Sequence, residues 1–309
     1  MPVRTASPTE ERNPRTADID CLPTEEVLRL LNAEDATVPA AVAATLPDLA
    51  SVVDAVVECV QAGGQVHYFG AGTSGRMAVL DAAEVVPTFG LDPGVFIAHQ
   101  AGGDRAFVSA VEDAEDDESL GGTDAGTVGA SDVAVGITAS GRTPYVAGAL
   151  AAARAAGAVT VLISSNPEAP LRSLAHYVVV ADTGPEAIAG STRLKAATAQ
   201  KLLLNAMSTA AMVRLGRTYS NLMVSLSSTN AKLRARQLTI LMDATGSDEE
   251  TCRAQLAASG GDLRLALLCL LSGLEPPDAA AALTQARGSV RVALSARTPG
   301  FDHGLSASS

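Results

Sequence analysis

Five short apolar runs constrain this chain more than any other feature: VHYFG (66–70), PGVFIAH (93–99), DVAVGIT (132–138), AVTVLISS (158–165) and HYVVVAD (176–182). Helical stretches alternate with them. A helix follows Gly70, DRAFVSAVEDAEDD reads as a helix with an acidic end, TPYVAGALAAARAAG ends at Gly157, and a long helix runs from Arg193 to about Val213. Short apolar strands alternating with helices imply an α/β fold with a doubly wound, mostly parallel sheet.

The flanking regions differ. The first twenty residues are polar and read as extended, with no apolar core of a signal peptide. A short helix is expected over Thr24–Leu31, capped by Thr24, and a longer one from Pro39 to Gly63, where Val42, Leu46, Leu49, Val53, Val56, Val57 and Val60 recur at helical spacing. From Asn230 on no strand pattern appears. Three short helices are expected over 244–286, the first capped by Ser247 with Glu250 three residues on and ended by Gly260–Gly261, the next broken at Pro276–Pro277. They form a small C-terminal helical bundle, with the boundary within 220–245.

The chain has 309 residues and a net charge of −12, and 47% of its residues are hydrophobic but only 3% aromatic. Aliphatic and alanine packing must fill the core. The acidic balance argues against nucleic acid and against an anionic membrane surface. The longest apolar run, LRLALLCLLSGL, is too short to span a bilayer, so a cytoplasmic protein is expected. Cys21, Cys59, Cys252 and Cys269 are scattered, and His67, His99, His176 and His303 lack ligand spacing, so no metal site is indicated. His67 falls within a strand and reads as a core residue.

Two turns carry the chemistry. GAGTSGR (70–76) and GITASGR (136–142) each follow a strand, open a helix and share Ser-Gly-Arg. Glycines, hydroxyls and a helix N-terminus at the carboxyl end of a strand suit an anion. Neither turn is a Walker loop or continues to a third dinucleotide-type glycine, which favours a monophosphate over ATP or NAD. A third segment, GPEAIAGSTRLKAATAQK (184–201), sets another Gly-Ser-Thr before a helix, beside Glu186, Arg193 and Lys195; a capped helix with a solvated face is the plainer interpretation. Glu84 closes the helix of the first turn and Glu115 sits in an acidic run. Both are expected near helix C-termini, where the macrodipole would raise a carboxyl pKa. Ten residues of helix separate Ser74 from Glu84, about 15 Å. Either that helix stops early, or the chain folds back, or Glu84 serves a site shared with a second subunit.

The two Ser-Gly turns resemble the sugar isomerase (SIS) domain. LNAEDATVP (31–39), GAGTSGRMAVLDAAEVVPTFG (70–90), AVEDAED (110–116), ASGRTPYV (139–146), GSTRLKAATAQKLLLNAMST (190–209) and NLMVSLSSTNAKLRARQ (221–237) together are similar to the N-acetylmuramic acid 6-phosphate etherases. The resemblance implies a homodimer that needs no cofactor or metal and splits the D-lactyl ether of the sugar phosphate. It implies catalytic roles for Glu84, as the acid that protonates departing lactate, and Glu115, as the base at C2. It implies phosphate or substrate contacts at Gly72, Thr73, Ser74, Ser140, Gly141 and Thr143, and at Glu186, Ser191 and Arg193. The implied organisation is an N-terminal extension with helices (1–47), an SIS sugar-phosphate domain (48–225), a ubiquitin-associated-like helical domain (226–300) and a tail (301–309). Ala83, Val86 and Ala197 stand where the family commonly has Ser, Pro and Gly. A phosphosugar isomerase and a sugar-phosphate-sensing regulator are the alternatives on the same domain.

Overall fold

The computed structural model describes residues 7–109, 111, 113–225 and 231–296, with backbone alone for 231–233. In chain order the elements are α1 (Thr24–Asp35), α2 (Val38–Ala43), α3 (Leu46–Gln61), β1 (Val66–Gly70), α4 (Gly72–Phe89), β2 (Phe96–Gln100), α5 (Arg105–Val108), α6 (Glu118–Asp124), β3 (Val133–Ile137), α7 (Pro144–Ala155), β4 (Val159–Ser164), β5 (Tyr177–Val180) and α8 (Lys195–Arg214). The short strands β6 (Thr218–Tyr219) and β7 (Leu222–Met223) follow, then α9 (Ala231–Thr245), α10 (Glu249–Ala258), α11 (Leu263–Ser272), α12 (Pro276–Gln285) and α13 (Val290–Ser295). The chain divides into two compact units. One holds the residues up to Val85 with Asp92–Ala211, and the other holds Val86–Leu91 with the residues from Met212 onward.

All five apolar runs are strands of one parallel sheet, ordered β2-β1-β3-β4-β5. Every residue of β1 and β3 is buried, which is why these strands read as unbroken apolar runs rather than alternating ones. From β1 the chain goes to one side to form β2 and then crosses to the other side for β3, so the topological switch point lies between β1 and β3. Gly70 pairs with both Gln100 and Ile137, which brings the carboxyl ends of the three strands level. The layer between sheet and α7 is built from Phe69, Tyr145 and small aliphatic residues such as Ala134, Val146, Ala149 and Leu150. The second unit has its own core around Leu241, Leu263, Leu267 and Val290.

Several local expectations are corrected. The helix expected from Pro39 to Gly63 is broken after α2, and the chain direction changes by 62° before α3. Pro47 lacks the N–H that a continuous helix would give to Ala43, and Thr45 Oγ1 instead donates to the Val42 carbonyl at 2.8 Å. The helix expected over 104–117 shrinks to the single turn α5. Its C-cap Ser109 is extended, Asp113 is left-handed (φ 64°), and Ala114–Asp116 form a 3-10 turn. A run of acids is unfavourable at the negative end of a helix. Ala110 and Glu112 of that run lie outside the described residues, as do 226–230 and the tail. In the second unit Asp248, not Ser247, caps α10, accepting the Thr251 N–H at 2.8 Å. The three helices expected over 244–286 are α10, α11 and α12, and among the described residues α9 precedes them and α13 follows.

The N-terminal segment is folded rather than extended. It makes 3-10 turns at Pro8–Glu10, Pro14–Thr16 and Ile19–Cys21, and buries Ser7, Thr9, Asn13 and Thr16. Among the described residues no single helix is long and apolar enough to cross a membrane.

Candidate active site

Both Ser-Gly-Arg turns leave the carboxyl ends of β1 and β3 at the switch point, but they are built differently. After β1, Gly72 has φ +54° and already begins α4, so Ser74, Gly75 and Arg76 are helical. As first-turn residues, Gly72, Thr73 and Ser74 present backbone N–H groups with no intrahelical acceptor, at the positive end of an 18-residue helix. Gly75 is required for space. A Cβ there would lie 1.9 Å from Gln100 Oε1 and 2.6 Å from the Gly70 carbonyl. The Gln100 side chain, 4% exposed, reaches from the end of β2 and donates from Nε2 to the Gly72 carbonyl at 3.4 Å, bracing the turn.

After β3 the same three residues precede the helix, which begins at Pro144. Thr138 Oγ1 is the hub of this turn. It meets Thr143 Oγ1 at 2.8 Å and Ser140 Oγ at 3.4 Å, and accepts the Gly141 N–H at 3.2 Å. Ser140 Oγ accepts the Arg142 N–H at 3.3 Å, and Asn166 Nδ2 donates to the Ser140 carbonyl at 2.8 Å. Gly141 has φ +69°, and a Cβ there would lie 2.2 Å from Ala169 Cβ. This glycine is therefore needed for backbone conformation as well as for space.

The turns face a cleft of about 760 Å³ lined also by Ser7, Glu10, Glu115, Asp116, Arg142, Gly190 and Thr192. Of the sequence-predicted residues, Gly72, Thr73, Ser74, Ser140, Thr143 and Glu115 line it. Gly141 shapes its turn from beneath. Ser191 and Arg193 are not among the lining residues; their neighbour Thr192 is. Glu186 is 0% exposed, and its two carboxylate oxygens accept the N–H groups of Lys195 and Ala196 at 2.9 Å each, capping the start of α8. Burial pushes its carboxyl pKa up, and these N–H groups oppose the shift. A smaller pocket of about 210 Å³ adjoins the cleft, with Arg76, Gln100 and Glu115 in its wall.

Glu84 stands apart. α4 runs unbroken past it to Phe89, so it is neither at a helix end nor folded back toward Ser74. It is exposed and does not line the cleft, while Asp81 one turn earlier is 3% exposed. Asp81 accepts hydrogen bonds from Tyr68 Oη (3.0 Å), Asn205 Nδ2 (2.8 Å) and Ser208 Oγ (3.0 Å), which fixes α4 against β1 and α8. Burial and the neighbouring Asp81 drive the Tyr68 phenol pKa well above its ordinary value, so Tyr68 stays a donor. Glu115 likewise sits in a 3-10 turn rather than at a helix end. Neither acid therefore stands at the C-terminus of an α-helix, where both were expected.

Sequence reasoning missed Ser7, Glu10, Asp116, Thr138 and Thr192. The hydroxyls of Thr138 and Thr192 sat beside motifs already singled out. Nothing in the polar N-terminal segment signalled that it returns to the cleft.

Residues 48–154 match the family model described as the glucokinase regulatory protein N-terminal SIS domain, and residues 107–210 match that of the SIS domain. A Listeria monocytogenes protein named as a sugar-phosphate isomerase superposes with a TM-score of 0.50 at 15% identity, covering 64% of this chain and 94% of that one, and so shares the fold. The N-acetylmuramic acid 6-phosphate etherase of Thermobifida fusca is 59% identical over 86% of this chain and 88% of its own length. That of Streptomyces avermitilis is 49% identical over 93% of each. Identity at that level, over most of both chains, makes this protein a member of the N-acetylmuramic acid 6-phosphate etherase family.

Proposed function

We infer that the chain cleaves the D-lactyl ether of N-acetylmuramic acid 6-phosphate to N-acetylglucosamine 6-phosphate and D-lactate, a step in cell-wall amino-sugar recycling. The observation that carries this reading is the cleft itself. Two donor-rich turns meet at the switch point with the Glu115 carboxylate on the same wall-lined space. The phosphate is held by the N–H groups at the start of α4 and the hydroxyls of Ser140 and Thr143, through charge-assisted hydrogen bonds. Held there, the sugar presents its far end to the carboxylates.

In the open-chain sugar the C2 proton is α to the C1 aldehyde. Glu115 removes it, the C3–O bond breaks, and Glu84 protonates the departing lactate oxygen. Water then adds across the resulting double bond, its oxygen to C3 and a proton to C2. Each carboxyl contributes about 10²–10⁴-fold to the rate.

Glu84 reaches this site from a second copy of the chain. Three observations support that assignment: the continuous α4, the spacing of about 15 Å from Ser74, and the exposure of Glu84 one turn from Leu80, which leaves 48% of its surface bare. The working form is then a homodimer with sites built by both subunits. Because a charged sugar phosphate crosses a bilayer at high cost, the reaction belongs in the cytoplasm.

The chemistry is tested by incubation with N-acetylmuramic acid 6-phosphate in H₂¹⁸O. Elimination and hydration put the label on C3 of the sugar. Label in lactate would overturn this route.

A further inference from the structure

The N-terminal segment is held against the cleft by an unusual amount of buried polar structure. The Gly190 N–H donates to the Thr9 carbonyl at 2.9 Å, and Thr16 Oγ1 to the Ala187 carbonyl at 2.8 Å. Glu34, 2% exposed, accepts from Asn13 Nδ2 at 2.8 Å and from Lys195 Nζ at 2.9 Å, and also pairs with Arg15. Lys195 is 1% exposed. Arg15 foremost, with Lys195 and Asn13, holds the Glu34 carboxyl pKa down at about 2 against the opposing effect of burial. Burying such charges is costly unless every partner is in place, so the arrangement fixes the strap in one register.

That register brings Ser7 and Glu10 to the cleft wall. Glu10 is exposed, and among the described residues its carboxylate has no hydrogen-bond or ion-pair partner. It lies beside Gly190, where a Cβ would come within 3.0 Å of Oε2. The cleft is thereby polarised: N–H groups, hydroxyls and Arg142 belong to the two turns, and carboxylates belong to the strap and to the 3-10 turn of Glu115 and Asp116. A dianionic phosphate cannot settle against Glu10. A hydroxyl or an amide N–H can, because a carboxylate is an acceptor only.

We propose that Glu10 is a substrate-recognising residue, whose carboxylate accepts a hydrogen bond from a hydroxyl or acetamido N–H of the sugar and, by repelling phosphate, sets which end of the substrate meets the two turns. This rests on the sugar-phosphate reading of the cleft. Calorimetry on the full chain with inorganic phosphate and with N-acetylglucosamine 6-phosphate separates the two. Glu10→Ala is expected to weaken the sugar phosphate about tenfold or more, as for a lost bond to a charged acceptor, while inorganic phosphate binds as tightly or more tightly. Parallel weakening of both ligands would reduce Glu10 to a structural part of the strap, and unchanged binding of both would remove it from recognition; either overturns the proposal. Wild-type protein that binds neither ligand would overturn the reading of the cleft and this inference with it.

Discussion

The turns at 70–76 and 136–142 share three residues in a row, yet they solve the same problem by different means. In the first, Ser-Gly-Arg is wound into α4, and the backbone N–H groups of its first turn are left without intrahelical acceptors. In the second, the same residues stay outside α7, and a knot of hydroxyls around Thr138 holds the loop. A sequence repeat at a switch point thus need not be a conformational repeat. What is shared is the direction of the donors, set by the parallel strands beneath.

The largest effects should come from the two glycines. Gly75→Ala and Gly141→Ala are each expected to lower the unfolding free energy by about 1–3 kcal/mol through overpacking and to abolish turnover. They separate on rescue. Trimming Gln100 to Ala should recover part of the stability of Gly75→Ala, because the nearest clash is with that side chain. Trimming Ala169 to Gly should recover little of Gly141→Ala, because φ +69° stays strained for any residue with a Cβ. Urea unfolding of the four variants reads this out, and equal rescue in both turns would erase the distinction.

A smaller effect tests the donors. Thr138→Val removes the hub of the second turn, and KM for the sugar phosphate should rise about tenfold, in line with about 1–1.5 kcal/mol of hydrogen bonding. Ser74→Ala should raise KM less, since the N–H groups of the first turn remain. The reverse order would break the comparison.

The smallest effect is on pH. Under the first turn, His67 Nδ1 and His99 Nε2 lie 3.0 Å apart, with His99 stacked on Phe69. Burial, aided by His67, lowers the His99 pKa to about 4 from an ordinary 6.5. The unfolded chain therefore binds this proton more readily, and the contribution to stability is whole above about pH 6.5 and is lost as pH falls toward about 4. In His99→Phe the urea midpoint should fall less steeply over that window. An unchanged slope would remove His99 as its source.

The strands were legible because residues buried on both faces must be apolar throughout, and the two turns because glycine and hydroxyls at strand ends are conspicuous. The break at Pro47 was visible in principle, but the apolar spacing across it masked it. The role of Glu186 was hidden because a carboxylate that caps a buried helix start looks, in sequence, like one that binds a ligand. The strap was illegible for a deeper reason: its anchor joins Asn13, Arg15, Glu34 and Lys195, and only the tertiary fold brings them together. Glu84 was legible as a residue of the motif, but its address was not, since helical rise carries it away from the turn that opens its own helix.

That address is the central claim, and subunit mixing tests it most directly. Glu84→Gln and Glu115→Gln should each be inactive alone. Unfolded together and refolded, half of the dimers would be mixed, and each mixed dimer would hold one intact site, restoring about a quarter of the wild-type rate of D-lactate release. A mixture that stays as inactive as its parents, with mixed dimers shown to form, would contradict a site built from two subunits.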